Sequence, residues 1–225
     1  NGVSVKEPGL SRDHTERMMK YFGLRVKNNR GVINSGSSSG FKSRNIYVPG
    51  DVSSAAFYIA LAVILKESSL TVKGVGLNET RTGFIKLLNK MGADVEFTGT
   101  GMSCGEPVGY IKACFSELKA VAVNKKQIPS LVDEIPLIAV VATQARGKTV
   151  ISGAGELRVK ESDRLDNICT QLKKMGADFK AACEVQKGEK FPEDPWDQLW
   201  GRRKGRVAFY TDKNDWEWEE GFLPA

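Results

Sequence analysis

The densest chemistry in the chain lies in Arg158-Val159-Lys160-Glu161-Ser162-Asp163-Arg164. Lys160 and Arg164 are four residues apart and Glu161 and Arg164 three apart, so on a helix their side chains converge. Two cations at a helix N-terminus oppose its macrodipole unless an anion sits between them, which points to a phosphate or carboxylate site. The same charges also suit a solvated first turn in which Glu161 and Asp163 neutralise the basic residues. A further carboxylate, Asp133, opens the apolar run that follows Val132-Asp133-Glu134-Ile135-Pro136; it suits either catalysis or an N-cap with Pro136 in the first turn. Asp51 has the same place before Val52-Ser53-Ser54, which strengthens the capping explanation. A third group, Ser11-Arg12-Asp13-His14-Thr15-Glu16, stands at another helix start, where Ser11 suits a cap, His14 an exposed first-turn residue, and Asp13 and Glu16 acidic first-turn positions.

The elements that carry these groups are duplicated. Residues 50–94 read as an apolar helix, a short strand, an amphipathic helix and a Gly-Ala-Asp turn, and residues 132–178 repeat the plan. A partial third copy precedes them, with Met18, Met19 and Phe22 at helical spacing from Thr15 and a stop at Gly23. Comparable stops are Gly92 and Gly176, and each is followed by an alternating run that reads as an edge strand with one wet face. In the last amphipathic helix Leu165, Ile168, Leu172 and Met175 form the expected buried stripe. Ser54 to Leu65 and Ile135 to Ala142 are apolar all round, as for helices enclosed by sheets. Asn34 to Gly40 reads as a polar hairpin tip or loop, with a domain crossing between Asn45 and Gly50.

With 225 residues the chain can bury a sizeable core. No apolar stretch reaches membrane-spanning length and the opening residues lack a signal-peptide core, so a soluble cytoplasmic protein is expected. Four cysteines with no close pair along the sequence and a single histidine argue against zinc. Residues 1–179 hold 25 Lys/Arg and 17 Asp/Glu against 8 and 10 in residues 180–225, so the basic body favours anionic partners. Without basic runs or interleaved aromatics, small anionic ligands fit better than nucleic acid.

Taken together, the segments 11–17, 48–56, 78–83, 128–136 and 158–164, with their Asp-Glu-Ile-Pro and Arg-Val-Lys-Glu-Ser-Asp-Arg strings, closely resemble 5-enolpyruvylshikimate-3-phosphate synthase in order and spacing over residues 3–179. The resemblance implies an α/β enolpyruvyl transferase fold of βαβαββ repeats, with buried parallel helices and outer sheets, incomplete in this chain. Residues 1–46 would end the shikimate-phosphate-side domain, and 47–179 would supply two repeats of the second. It implies transfer of the enolpyruvyl group of phosphoenolpyruvate to the 5-hydroxyl of shikimate 3-phosphate, without metal or organic cofactor, in a monomer. By position Asp133, Lys160 and Glu161 would be catalytic. Ser11, His14, Asp133, Glu156, Lys160 and Arg164 would bind substrate, with Glu156 standing where other members have asparagine. The related UDP-N-acetylglucosamine enolpyruvyl transferase shares the fold but not these strings.

The family's N-terminal Lys-Ser motif, its Asn-Ala-Gly-Thr loop, its Ser-Ser-Gln segment and its late Asp-His-Arg and Lys motifs have no counterpart here, so the chain alone is expected to be inactive. The alternative is a non-catalytic fragment that at most holds shikimate 3-phosphate weakly. An RNA 3′-phosphate cyclase would need a nucleotide-reactive histidine, which His14 does not convincingly supply. Residues 180–225 contain all four tryptophans and no copy of the repeat, and are expected to be either a family-specific extension or a reading-frame or assembly error.

Overall fold

The computed structural model describes residues 2–7, 11–36, 40–160, 162–177, 179–183 and 206–211. Contacts divide the chain into two units: Asn1–Asn89 with Asp94–Phe115 and Pro129–Leu131, and Lys90–Ala93 with Ser116–Ile128 and Val132–Ala225.

The first unit begins with β1 (Val3–Lys6), α1 (His14–Tyr21), β2 (Val26–Asn29) and β3 (Val32–Ser35), the strands forming an antiparallel sheet in the order β1-β3-β2. β2 is an edge strand in which Val26 alone is buried, as its alternating sequence predicts. The hairpin tip is Arg30-Gly31, both at positive φ, and not the serine-rich stretch. A two-residue loop needs that backbone to follow the twist of its strands. α1 buries none of its residues and leaves Met18 49% exposed, so its apolar spacing predicts the helix but not a buried face.

The repeat proper follows. Gly50 bridges Val75 in parallel ahead of α2 (Val52–Ile64), β4 (Ser69–Gly76), α3 (Gly83–Lys90), β5 (Asp94–Ser103) and β6 (Glu106–Cys114). The sheet order is β4-β6-β5, with both pairs antiparallel, and Gly50 lies at its β4 side: a βαβαββ plan. Ala55, Ala56 and Ala60 bring α2 close to the sheet beside buried Ile59 and Val63. One expectation fails here. α2 is not enclosed: Phe57 is 62% exposed and Tyr58 64%, because the described residues of this unit give the helix a sheet on one side only.

The second unit repeats the order with β7 (Ala122–Val123), α4 (Ile135–Ala142), β8 (Lys148–Ser152), α5 (Arg164–Lys174), β9 (Phe179–Cys183) and β10 (Arg206–Thr211). Its sheet runs β7-β8-β10-β9, so β10 occupies the place that β6 has in the first repeat. Its direction is reversed: β10 is parallel to both neighbours, whereas β6 is antiparallel to both of its own. A two-residue turn joins β5 to β6 and permits only an antiparallel return, while 22 residues separate β9 from β10, enough for a parallel crossover. Part of the segment expected to carry no copy of the repeat therefore supplies a strand to it. In α5, Leu165, Cys169 and Leu172 are buried; Met175, expected in the stripe, is its C-cap and 81% exposed. Gly23, Gly92 and Gly176 all follow helix ends at φ of 82–90°, the left-handed stop their sequence predicts.

Candidate functional site

In the second unit, Glu156, Lys160 and Arg164 lie along the stretch that leads into α5 and on its first residue. A short 3-10 turn, Gly155–Arg158, leads into it and buries Leu157. Asp163 is the N-cap: its Oδ1 accepts the backbone N–H of Asp166 at 2.9 Å, and its Oδ2 accepts Arg158 Nη1–H at 2.8 Å. One carboxylate thus satisfies a helix end and neutralises one cation. Lys160 is exposed, lies ahead of the helix rather than in its first turn, and forms a close ion pair with Glu156 across one turn of chain. Arg164 is the first helical residue and is half-buried. Glu161 falls outside the described residues.

Asp133 behaves differently from its counterpart. Asp51 is the N-cap of α2 and accepts both the N–H and the hydroxyl of Ser54 at 2.9 Å. Burial raises its pKa, but these hydrogen bonds, that from Ser53, and the Arg81 charge more than offset it, leaving the carboxyl below its ordinary value. The N-cap of α4, by contrast, is Glu134, with Pro136 in the first turn, and Asp133 is exposed one residue earlier. The N-cap position that the repeat predicts for Asp133 is held by Glu134.

The first unit holds Ser11 and His14. Ser11 is not the cap of α1; its hydroxyl donates to Glu7, and the N-cap position is Asp13, whose side chain makes no capping bond. His14 Nδ1 lies 2.7 Å from Glu106 Oε1. Around this pair is a network that motif reading did not find. Asn78, 2% exposed, donates from Nδ2 to Asp13 Oδ1 at 2.7 Å and to Glu106 Oε2 at 3.1 Å, and its Oδ1 accepts the N–H and hydroxyl of Thr80. Arg17 Nε donates to Asp13 Oδ2 at 2.8 Å and its Nη1 to the Gly105 carbonyl. Burial works to raise the Asp13 pKa, yet the donors Asn78 and Arg17 and the Arg17 charge bring it below the ordinary value. Cys104 and Gly105, both at positive φ, form the tight turn that sets Glu106 at the start of β6. His14, Asn78, Glu106, Asp51, Arg81 and the apolar Met18, Ile46 and Val48 line a cleft of about 360 Å³.

Asn78 lies in the segment 78–83, which the sequence marks only through its family resemblance, and Glu106 carries no sequence signal, being 92 residues from its partner. Among the described residues no group of three or more His, Cys, Asp or Glu is disposed to hold a metal ion, and no helix is long and apolar enough to cross a membrane.

Comparison with known proteins agrees with the motifs. The family model for EPSP synthase (3-phosphoshikimate 1-carboxyvinyltransferase) matches residues 2–199. A 3-phosphoshikimate 1-carboxyvinyltransferase of Geobacillus kaustophilus is 48% identical over 179 residues, which are 80% of this chain and 42% of that protein. The chain thus spans less than half the length of the curated relatives it matches. An EPSP synthase structure from Acinetobacter baumannii aligns with a TM-score of 0.73 at 41% identity, over 76% of this chain and 39% of that one. The enolpyruvyl transferase NikO from Streptomyces tendae, at 17% identity and a TM-score of 0.50 over 65% of this chain and 34% of its own, shares the fold alone. The match to the family model over most of the chain, with relatives near half identity, establishes that the chain belongs to the EPSP synthase (3-phosphoshikimate 1-carboxyvinyltransferase) family.

Proposed function

We propose that this chain is one part of a cytoplasmic, monomeric enzyme that transfers the enolpyruvyl group of phosphoenolpyruvate to the 5-hydroxyl of shikimate 3-phosphate. Residues 1–46 end its shikimate-phosphate-side domain, residues 47–179 give two repeats of the other, and 180–225 form an atypical tail. Asp133 takes the proton of the 5-hydroxyl as its oxygen bonds to C2 of phosphoenolpyruvate, and Glu161 supplies a proton to the methylene carbon. Loss of that proton and of phosphate from the tetrahedral adduct regenerates the vinyl ether. Lys160 and Arg164 hold the phosphoenolpyruvate anion, Glu156 lies beside them, and Ser11 and His14 meet the 3-phosphate.

The observation that carries this reading is that Asp133 is exposed next to, but outside, the cap of α4, within a family match spanning the charged segment 158–164. Its duplicate Asp51 is the N-cap of α2, whereas the N-cap position of α4 is held by Glu134. Because the chain spans 42% of the length of the Geobacillus kaustophilus relative, the polypeptide alone binds shikimate 3-phosphate weakly and does not turn over. Phosphate release from the two substrates and saturation-transfer NMR with shikimate 3-phosphate test both halves. No turnover with detectable binding is expected; turnover by the isolated chain overturns the partial-enzyme reading, and absence of binding at millimolar ligand overturns the substrate assignment.

A further inference from the structure

We infer that Glu106 is a positioning residue that fixes the tautomer of His14 and leaves its Nε2 as the nitrogen that meets a phosphomonoester. The ligand half of this inference rests on the function proposed above; the tautomer half rests on geometry alone.

The hydrogen bonds determine where the ring proton lies. A carboxylate only accepts, so the 2.7 Å contact between His14 Nδ1 and Glu106 Oε1 requires Nδ1–H as donor. The competing arrangement would have the Asn78 amide donate to Nδ1, 3.5 Å away. It has no hydrogen left to do so. Its two N–H bonds go to Asp13 and Glu106, and its orientation is fixed because Oδ1 accepts the backbone N–H of Thr80, a group that cannot accept in return. Among the described residues nothing bonds Nε2, and the His14 side chain is 44% exposed on the wall of the cleft.

Glu106 is itself held. Its second oxygen takes the Asn78 bond at 3.1 Å and lies 4.0 Å from Arg17, while the Cys104-Gly105 turn fixes its backbone. The charged groups in the hydrogen-bond network of His14 are Asp13, Arg17 and Glu106, and Asp51, Arg81 and Cys104 line the same part of the surface as His14. Against a phosphomonoester, Nε2 shares one proton with a phosphoryl oxygen: the neutral ring accepts it from a monoanion, or the imidazolium, steadied by Glu106 behind it, donates it to a dianion. Either way the contact is directional, which a freely rotating surface histidine would not provide.

His14 is the only histidine in the sequence, so its ring nitrogens are read without assignment ambiguity. Long-range ¹H–¹⁵N NMR of the full 225-residue chain is expected to show the Nδ1–H form for the neutral ring. Glu106→Leu should shift it to predominantly Nε2–H, and Glu106→Gln, which keeps an acceptor, should retain the wild-type form in part. A wild-type ring already in the Nε2–H form, or one unchanged in Glu106→Leu, overturns the tautomer half. If the variants fail to fold, the wild-type spectrum decides alone. For the ligand half, shikimate 3-phosphate should move the Nε2 resonance while shikimate, lacking the phosphate, should not. Equal responses, or none to shikimate 3-phosphate, overturn that half and its substrate assignment without touching the tautomer result.

Discussion

His14 and Glu106, 92 residues apart in the chain, meet at 2.7 Å and join the first turn of α1 to the first residue of β6. The contact sits at the edge of a buried hydrogen-bond network centred on Asn78, whose amide satisfies two carboxylates from different elements. Buried polar networks of this kind are stabilising only when every member is satisfied.

Asn78 is accordingly a sensitive polar position of the first unit. Asn78→Ala leaves Asp13 and Glu106 short of a donor and should cost about 1–3 kcal/mol, read as a lower urea midpoint. Asn78→Asp, which adds a third carboxylate, should cost more. A midpoint unchanged in both variants would contradict the network.

The same network gives a pH dependence. Asp13 and Asp51 both have folded pKa values below the ordinary 3.8. A depressed carboxyl contributes stability that is present above its unfolded pKa and lost as pH falls through the folded value. Urea midpoints measured from pH 5 to pH 3 should decline, and Asp13→Asn should flatten the decline. An identical slope in the variant would show that Asp13 is not held as described.

The cysteines should differ in reactivity. Burial pushes the Cys169 thiol up to about 11 despite the opposing charge of Lys173. At Cys104 the Tyr47 N–H, with help from the Tyr21 hydroxyl, lowers the value instead. Iodoacetamide at pH 8 should therefore modify Cys104 well before Cys169, as followed by peptide mass spectrometry; equal rates would contradict the assigned environments.

Removal of the α2 cap offers a further check. Asp51→Ala frees the Ser54 N–H and removes the Arg81 partner, and should cost about 0.5–2 kcal/mol by urea denaturation. A neutral result would mean that the cap contributes nothing.

Much of this architecture was legible in the chain. The glycines at 23, 92 and 176 mark helix ends because only a left-handed residue without Cβ closes them cheaply, and the duplicated helix-strand plan reappears as two sheets of matching order. Periodicity was a poorer guide to burial. It identifies an apolar face on α1 and an all-round apolar α2, but apolar surface is buried only if another element covers it, and Met18, Phe57 and Tyr58 remain exposed. The charged string at 158–164 was visible as chemistry, while its pairing was not: Asp163 was free in sequence to neutralise Lys160 or Arg164, but in the structure it caps α5 and takes Arg158. Glu106 left no trace at all, since a long-range partner in an unremarkable hairpin has neither motif nor period.

The central claim is that the segment 1–179 carries one share of an enolpyruvyl transfer site whose remainder lies outside it. It is tested most directly by substituting these residues for the aligned 179-residue segment of the Geobacillus kaustophilus relative and measuring phosphate release from phosphoenolpyruvate and shikimate 3-phosphate. The chimera should turn over within about tenfold of its parent, and Lys160→Met should lower kcat by about 10²–10³. A folded chimera without activity, or one whose activity survives Lys160→Met, would contradict the account.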